Sequence, residues 1–264
     1  MRIATWNVNS IGARLPRLLD WLERSDSDVV CLQELKCSPA EFPTDEIRGL
    51  GYDAAVHAAG RWNGVAVLSR VGLDDVSNGL LDEPGFLAEG TMLPATENRA
   101  VAATCDGVRV WSVYVPNGRE LGHPHYEYKL RWLGALRATV EAELPRYQRF
   151  AVLGDFNIAP NDDDVWDISA FANSTHVSAP ERQALANLRA SGLTDVRPRA
   201  LKYDTPFTYW DYRQLCFPKN RGMRIDLVYA SEAFAADVAD AYVDREARKG
   251  ANPSDHAPVV VDLR

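Results

Sequence analysis

The sequence predicts an α/β (α+β) protein built as a four-layer α/β/β/α sandwich, two packed mixed β-sheets flanked by helices. Three observations carry that reading. Short apolar runs of strand length are interspersed with helical patterns along the chain. A hairpin signal lies among them, so the sheets are not purely parallel. Helical stripes fall in both halves, which suits two packed sheets with helices outside better than one open parallel sheet. Nothing divides the 264 residues: there is no Gly/Ser-rich linker, repeat or low-complexity tract, so residues 1–264 read as a single domain. A domain of this size buries roughly 70–75% of the unfolded chain's surface.

Residues 3–8 form the first expected strand and lead into Asn7-Val8-Asn9-Ser10. Leu15, Leu18, Leu19 and Leu22 then make one apolar helical stripe. Residues 28–33 are too apolar to have one face in water and deliver Glu34 at their end. A glutamate there is either a solvated charge or an oxygen ligand for a hard cation. Residues 44–50 suit a short helix, and 64–69 another apolar strand. Residues 72–98 carry little pattern and read as surface connections. Asp106-Gly107 is a strong turn signal between strands 100–104 and 108–115, the second ending in Tyr114-Val115-Pro116-Asn117. Tyr126, Leu130, Leu133, Leu136, Val140 and Leu144 mark a long amphipathic helix.

Residues 150–153 form a short buried strand that Gly154 ends. Asp155 and Asn157 follow, two apart, and so point to one side in extended chain. They are either turn residues or a carboxylate and an amide aimed at a metal-bound water and a phosphate oxygen. Asn161-Asp162-Asp163-Asp164 reads as a solvated loop outside any site. Residues 181–190 are helical; 207–210, 224–229 and 258–263 are strand-like. Asp226 interrupts an apolar strand, which is costly unless the acid is paired, and His256 is its natural partner. An aspartate behind a histidine fixes its tautomer and favours the cation that binds phosphate. His57, His123, His125 and His176 have no comparable setting and read as loop or surface residues.

The net charge of −8 argues against nucleic-acid binding through general positive charge, though not against a local basic face. Residues 197–224 supply one: seven Lys or Arg stand against Asp204 and Asp211, with Tyr203, Phe207, Tyr209, Trp210, Tyr212 and Phe217 interleaved. Cations for phosphates beside rings for bases is a nucleic-acid pattern, and equally that of a surface loop with its rings turned inward. No apolar run approaches the ~20 residues a membrane span needs, and the strand-like start lacks a signal peptide's pattern. The four cysteines lack zinc-like spacing and read as reduced thiols, so a cytoplasmic protein is expected.

Trp6-Asn7-Val8-Asn9, Leu32-Gln33-Glu34-Leu35-Lys36, Tyr114-Val115-Pro116-Asn117, Gly154-Asp155-Phe156-Asn157, Arg224-Ile225-Asp226-Leu227 and Ser254-Asp255-His256-Ala257-Pro258 now stand in order. Together they resemble the exonuclease III family of abasic-site (AP) endonucleases, within the endonuclease/exonuclease/phosphatase superfamily, over essentially the whole chain. The resemblance implies the two-sheet sandwich of deoxyribonuclease I-like proteins. It implies cleavage of the phosphodiester 5′ to an abasic site with magnesium, or manganese, as cofactor, and activity on DNA 3′ ends. The implied metal ligand is Glu34, with Asn7, Asp255, Asp155 and Asn157 around it. Asp155 activates water, Asn157, Tyr114 and His256 hold the phosphate, and Asp226 orients His256. DNA contacts and the abasic pocket fall to Asn9, Lys36, Asn117, Arg119, Tyr209, Trp210, Arg213, Met223, Arg224 and Ile225. The implied partner is duplex DNA, bound by a monomer without any membrane. The alternatives are a deoxyribonuclease I-like nuclease, a phosphatase of the same superfamily, or a catalytically inactive relative that only binds DNA or protein.

Overall fold

The computed structural model describes all 264 residues. In chain order the elements are β1 (Arg2–Asn7), α1 (Ile11–Ser25), β2 (Val29–Gln33), α2 (Thr44–Gly49), β3 (Asp53–His57) and β4 (Val65–Ser69). There follow β5 (Asp74–Asn78), β6 (Ala100–Cys105), β7 (Val108–Tyr114), α3 (Pro124–Glu143), β8 (Arg149–Asp155) and α4 (Ala179–Ala190). The chain closes with β9 (Thr194–Asp195), β10 (Arg199–Ala200), β11 (Asp226–Ala230), α5 (Glu232–Asp237), β12 (Val238–Val243) and β13 (Val259–Leu263). One sheet has the order β10-β12-β13-β1-β2-β4-β3 and the other β5-β6-β7-β8-β11-β9; both are mixed.

Three apolar clusters explain the layering. The largest joins residues of both sheets, Val29, Val67 and Val261 from one with Val110, Leu153 and Val228 from the other. The second seals α3 and α4 on the outer face of the six-stranded sheet through Trp132, Leu136 and Leu188. The third seals α1 on the outer face of its partner through Leu18, Trp21 and Leu22. Strands β2, β4 and β8 bury both faces, which is why they read as unbroken apolar runs rather than alternating ones.

Some expectations are corrected. Residues 72–98 contain β5, an edge strand exposed along most of its length and therefore without a core-facing pattern. Residues 207–210 form no strand: Tyr209 makes only isolated bridges to Met223 and His256, while its neighbours follow loop paths. Asp164 is fully buried, not solvated, because it receives Arg224 and Arg197. His125 is buried and His176 half-buried, each bound to backbone; neither is a plain surface residue.

Candidate active site

The two sheets end at a common edge, and the sequence delivers its polar residues there in register. Tyr114, Asp155 and Asp226 are cross-strand partners in one row over β7, β8 and β11. From the facing sheet, Asn7 closes β1 and Glu34 follows β2, while His256 precedes β13. Gly154 makes the approach possible, since a Cβ there would meet the Val113 carbonyl oxygen at 1.9 Å. Asn157 and Glu34 both take left-handed backbone, turning their side chains out of the strand direction at the sheet edge.

The charges are mutually held. Asn7 Nδ2 donates to Glu34 Oε1 at 2.8 Å and Asp155 Oδ2 at 2.9 Å. Its Oδ1 accepts from the Asn9 N–H, so Asn7 ties the two carboxylates to the turn that follows β1. His256 Nδ1 lies 2.8 Å from Asp226 Oδ2, and Nε2 lies 3.7 Å from Asp155 Oδ2. Burial opposes charge on His256, but the Asp226 and Asp155 carboxylates outweigh it and raise its pKa to about 10. Burial, with Asp226 and Glu34 close by, holds the Asp155 carboxyl well above the usual range. For Glu34, Lys36 and Asn7 overcome burial and keep the carboxylate ionised. Burial and the Glu34 carboxylate push the Tyr114 phenol far up, so it remains a proton donor.

Glu34, Asp155 and His256 offer atoms all within 4.8 Å of one another. Two oxygens bound to one hard cation at about 2.1–2.4 Å stand at most about 4.8 Å apart, so Glu34 and Asp155 fit a divalent ion. Asp255 lies outside that group; its Oδ1 accepts from Asn9 Nδ2, and it lines the same cavity. Asn157 lines the cavity with one Nδ2 proton on the Val115 carbonyl and Oδ1 accepting from Asn117, which leaves its second amide proton for a ligand. Lys36 turns into the cluster, 2.7 Å from Glu34 Oε2 and 2.6 Å from Asn9 Oδ1. Tyr209, Met223 and Ile225 wall a cavity of about 160 Å³ over these groups, with Asn117 and His176.

Two expected DNA contacts are excluded by burial. Arg224 is fully buried, bidentate on Asp164 and on Asp195. Trp210 is buried with its indole N–H on Asn220, away from the cavity. The basic surplus of residues 197–224 is also smaller than its composition, because Arg197, Arg199 and Arg213 pair with Asp164, Asp240 and Asp211. Arg213 and Arg119 remain on the surface of the neighbouring groove.

Other residues of the site escaped the sequence reading. Thr208 Oγ1 accepts the Ile225 and Asp226 N–H groups, and its carbonyl takes the Ala257 N–H, joining the strands that carry Asp226 and His256. Ser254 Oγ donates to the Asn7 carbonyl and accepts the His256 N–H. Buried Lys129 donates to the carbonyls of Asn117 and Asn157 and to Glu181. Arg99 lies over the Tyr114 ring at 4.7 Å, paired with Glu97. The one available signal was a lysine on the apolar stripe of α3; the hydroxyls carried none.

A sandwich with buried acids, a His–Asp pair and a cation-sized oxygen pair at its common edge defines a metal-dependent phosphoesterase. Over residues 4–256 the chain matches the Endonuclease/Exonuclease/phosphatase family, and it belongs to that family. It is an exonuclease III-like hydrolytic nuclease. It is 27% identical to exodeoxyribonuclease III of Haemophilus influenzae over 100% of both chains. Among solved structures, the 3′-5′ exonuclease (NExo) of Neisseria meningitidis superposes with TM-score 0.91 at 38% identity, over 100% of this chain and 99% of that one. An AP endonuclease of Archaeoglobus fulgidus superposes with TM-score 0.89 at 31% identity, over 100% and 99%. No helix is long and apolar enough to cross a membrane.

Proposed function

We propose that this nuclease serves base excision repair by hydrolysing the phosphodiester 5′ to abasic sites in duplex DNA, with 3′-5′ exonuclease and 3′-phosphatase or phosphodiesterase activity at the same centre. One observation carries the reading: Asn7 holds Glu34 and Asp155 together while His256, backed by Asp226, faces Asp155 across the same small cavity. Glu34 and Asp155 would hold a magnesium ion, or manganese in its place, and that ion would supply positive charge where charge builds on the phosphate oxygens. Asp155 orients water and takes its proton. Cationic His256 donates to a non-bridging oxygen, and Tyr114 and Asn157 donate beside it. The P–O3′ bond breaks, leaving a 3′-hydroxyl upstream and a 5′-phosphate on the abasic residue. Asn9, Lys36, Asn117, Arg119 and Arg213 border the DNA path, and Tyr209, Met223 and Ile225 receive the sugar. The enzyme acts as a cytoplasmic monomer. The complete set of acids and His256 argues against an inactive binding relative.

A specific observation favours a second emphasis, 3′-end processing over internal incision. His176 forms a fixed wall of the sugar cavity, its Nδ1 on the Asn157 carbonyl and its N–H on Glu181. A solved relative at 38% identity is named a 3′ phosphatase bound to product DNA hairpin. A duplex with one tetrahydrofuran residue, the intact duplex and a 3′-phosphate duplex separate the readings, each with magnesium, with EDTA and with Asp155→Asn. Incision at the lesion, lost in EDTA and in the variant, supports the first reading. Action only at 3′ ends supports the second, and cleavage of none of the three with DNA binding intact overturns both.

A further inference from the structure

Beyond the catalytic cavity lies a groove of about 630 Å³ that shares His176, Tyr209 and Met223 with it. The cavity itself, at about 160 Å³, has room for a phosphoryl group and part of a sugar but falls below the ~300–1,000 Å³ of ordinary ligand pockets. The groove falls within that range. In its lining the Arg221 guanidinium lies 4.8 Å over the Trp166 ring, and Trp166 is 38% exposed. The Trp166 N–H donates to the Gly222 carbonyl at 3.0 Å, which fixes this platform to the segment carrying Met223.

The charges in the groove are uneven. Asp211 is neutralised by a bidentate Arg213, while Arg221 and Arg119 have no carboxylate within ion-pair distance. Two arginines without an ion-pair partner and an exposed tryptophan thus line the groove with one further carboxylate, Glu120. An open guanidinium–indole stack beside a phosphate-cleaving centre is suited to a base with its sugar–phosphate.

We propose that this groove seats the 3′-terminal nucleotide as it is removed, its base on the Trp166–Arg221 platform and its sugar between Tyr209 and Met223. The inference rests on the phosphodiesterase reading of the Asp155 centre and adds to it the seat of the departing base. Water attacks the terminal phosphorus, the P–O3′ bond breaks, and the penultimate O3′ takes a proton. The products are a 3′-hydroxyl end and a nucleoside 5′-monophosphate leaving through the groove. Removal of a bare 3′-phosphate uses the same centre but places no base in the groove.

The test compares a recessed duplex ending in a normal nucleotide with the same duplex ending in a 3′-phosphate. For Trp166→Ala and for Arg221→Ala, kcat/KM for nucleotide removal is expected to fall about tenfold, and that for phosphate release by less than about twofold. Trp166→Phe retains a stacking surface and is expected to recover most of the loss. Equal loss on both substrates, or loss on neither, overturns the proposal. If the wild-type enzyme cleaves neither duplex, the phosphodiesterase reading fails separately. Calorimetry with deoxyadenosine 5′-monophosphate and inorganic phosphate then decides the groove. Nucleotide binding weakened in Arg221→Ala supports it, and equal or absent binding of the two ligands overturns it.

Discussion

Arg224 and Asp226 sit two residues apart, both fully buried, yet they anchor clusters of opposite character. Around Arg224 every charge is closed: Asp164 and Asp195 each accept from the guanidinium, and Arg197 adds a further contact to Asp164. The Arg224 bonds outweigh the burial cost and hold the Asp164 carboxyl below the usual range. Around Asp226 the bonding is left open. Its Oδ1 has no partner, and the proton-bearing atoms of His256 reach only to 3.7 Å from Asp155. Three acids, Glu34, Asp155 and Asp226, stand against two cationic side chains, His256 and Lys36, whereas the Arg224 cluster balances two acids with two arginines. A closed network locks the chain; an open one stores unused charge for a ligand. Burial alone does not tell the two apart, and bond satisfaction does.

The comparison can be broken most sharply at Asp155. Asp155→Asn is expected to lower turnover about 10³-fold by removing the base, while its melting temperature stays level or rises as crowding among the acids is relieved. Steady-state cleavage and calorimetry on one preparation check both; a large stability loss would move Asp155 into the structural class. Asp226→Asn follows, with turnover down about 10²-fold because His256 loses its orienting charge. That loss should appear in kcat more than in KM.

Asp164→Ala probes the closed cluster. Leaving Arg224 buried without its main partner is expected to cost about 3–5 kcal/mol in urea unfolding, with activity per folded molecule nearly unchanged. An activity loss beyond the folded fraction would tie the Arg224 cluster to the catalytic centre.

The pH response sharpens the contrast in metal-free protein. His256 is raised from 6.5 to about 10, so its pairing contributes stability that is fully present below about 6.5 and lost as pH rises through about 10. Denaturation between those limits should show falling stability in the wild type and a flatter profile in Asp226→Asn. The smallest effect belongs to the surface. Arg119→Ala should reduce the slope of log K for DNA against log salt by about one and leave cleavage at saturating DNA close to normal.

Much of this was legible in the residues. Asp226 stood out because an ionised group within an apolar run is costly without a partner, and Asp155 because it and Asn157 point to one side from the end of a buried strand. The layered fold followed from strands interspersed with helices in both halves and a hairpin among them, and the buried runs of β2, β4 and β8 agree with it. Edge strand β5 was missed because a strand exposed along most of its length leaves little core-facing pattern. Thr208, Ser254 and Lys129 were missed because their partners lie far along the chain, in contacts that no local period encodes.

Most helices and core strands, and the need of Asp226 for a partner, can be read from the residues, since propensity, apolar period and the cost of isolated charge act locally. Long-range contacts set the rest. They closed Arg224 on Asp164 and Asp195, turned Asn7 toward two carboxylates, and opened a groove between Trp166 and Tyr209. Whether a buried charge is satisfied depends on directional bonds of about 3 Å between segments that are distant in sequence, and packing alone sets those.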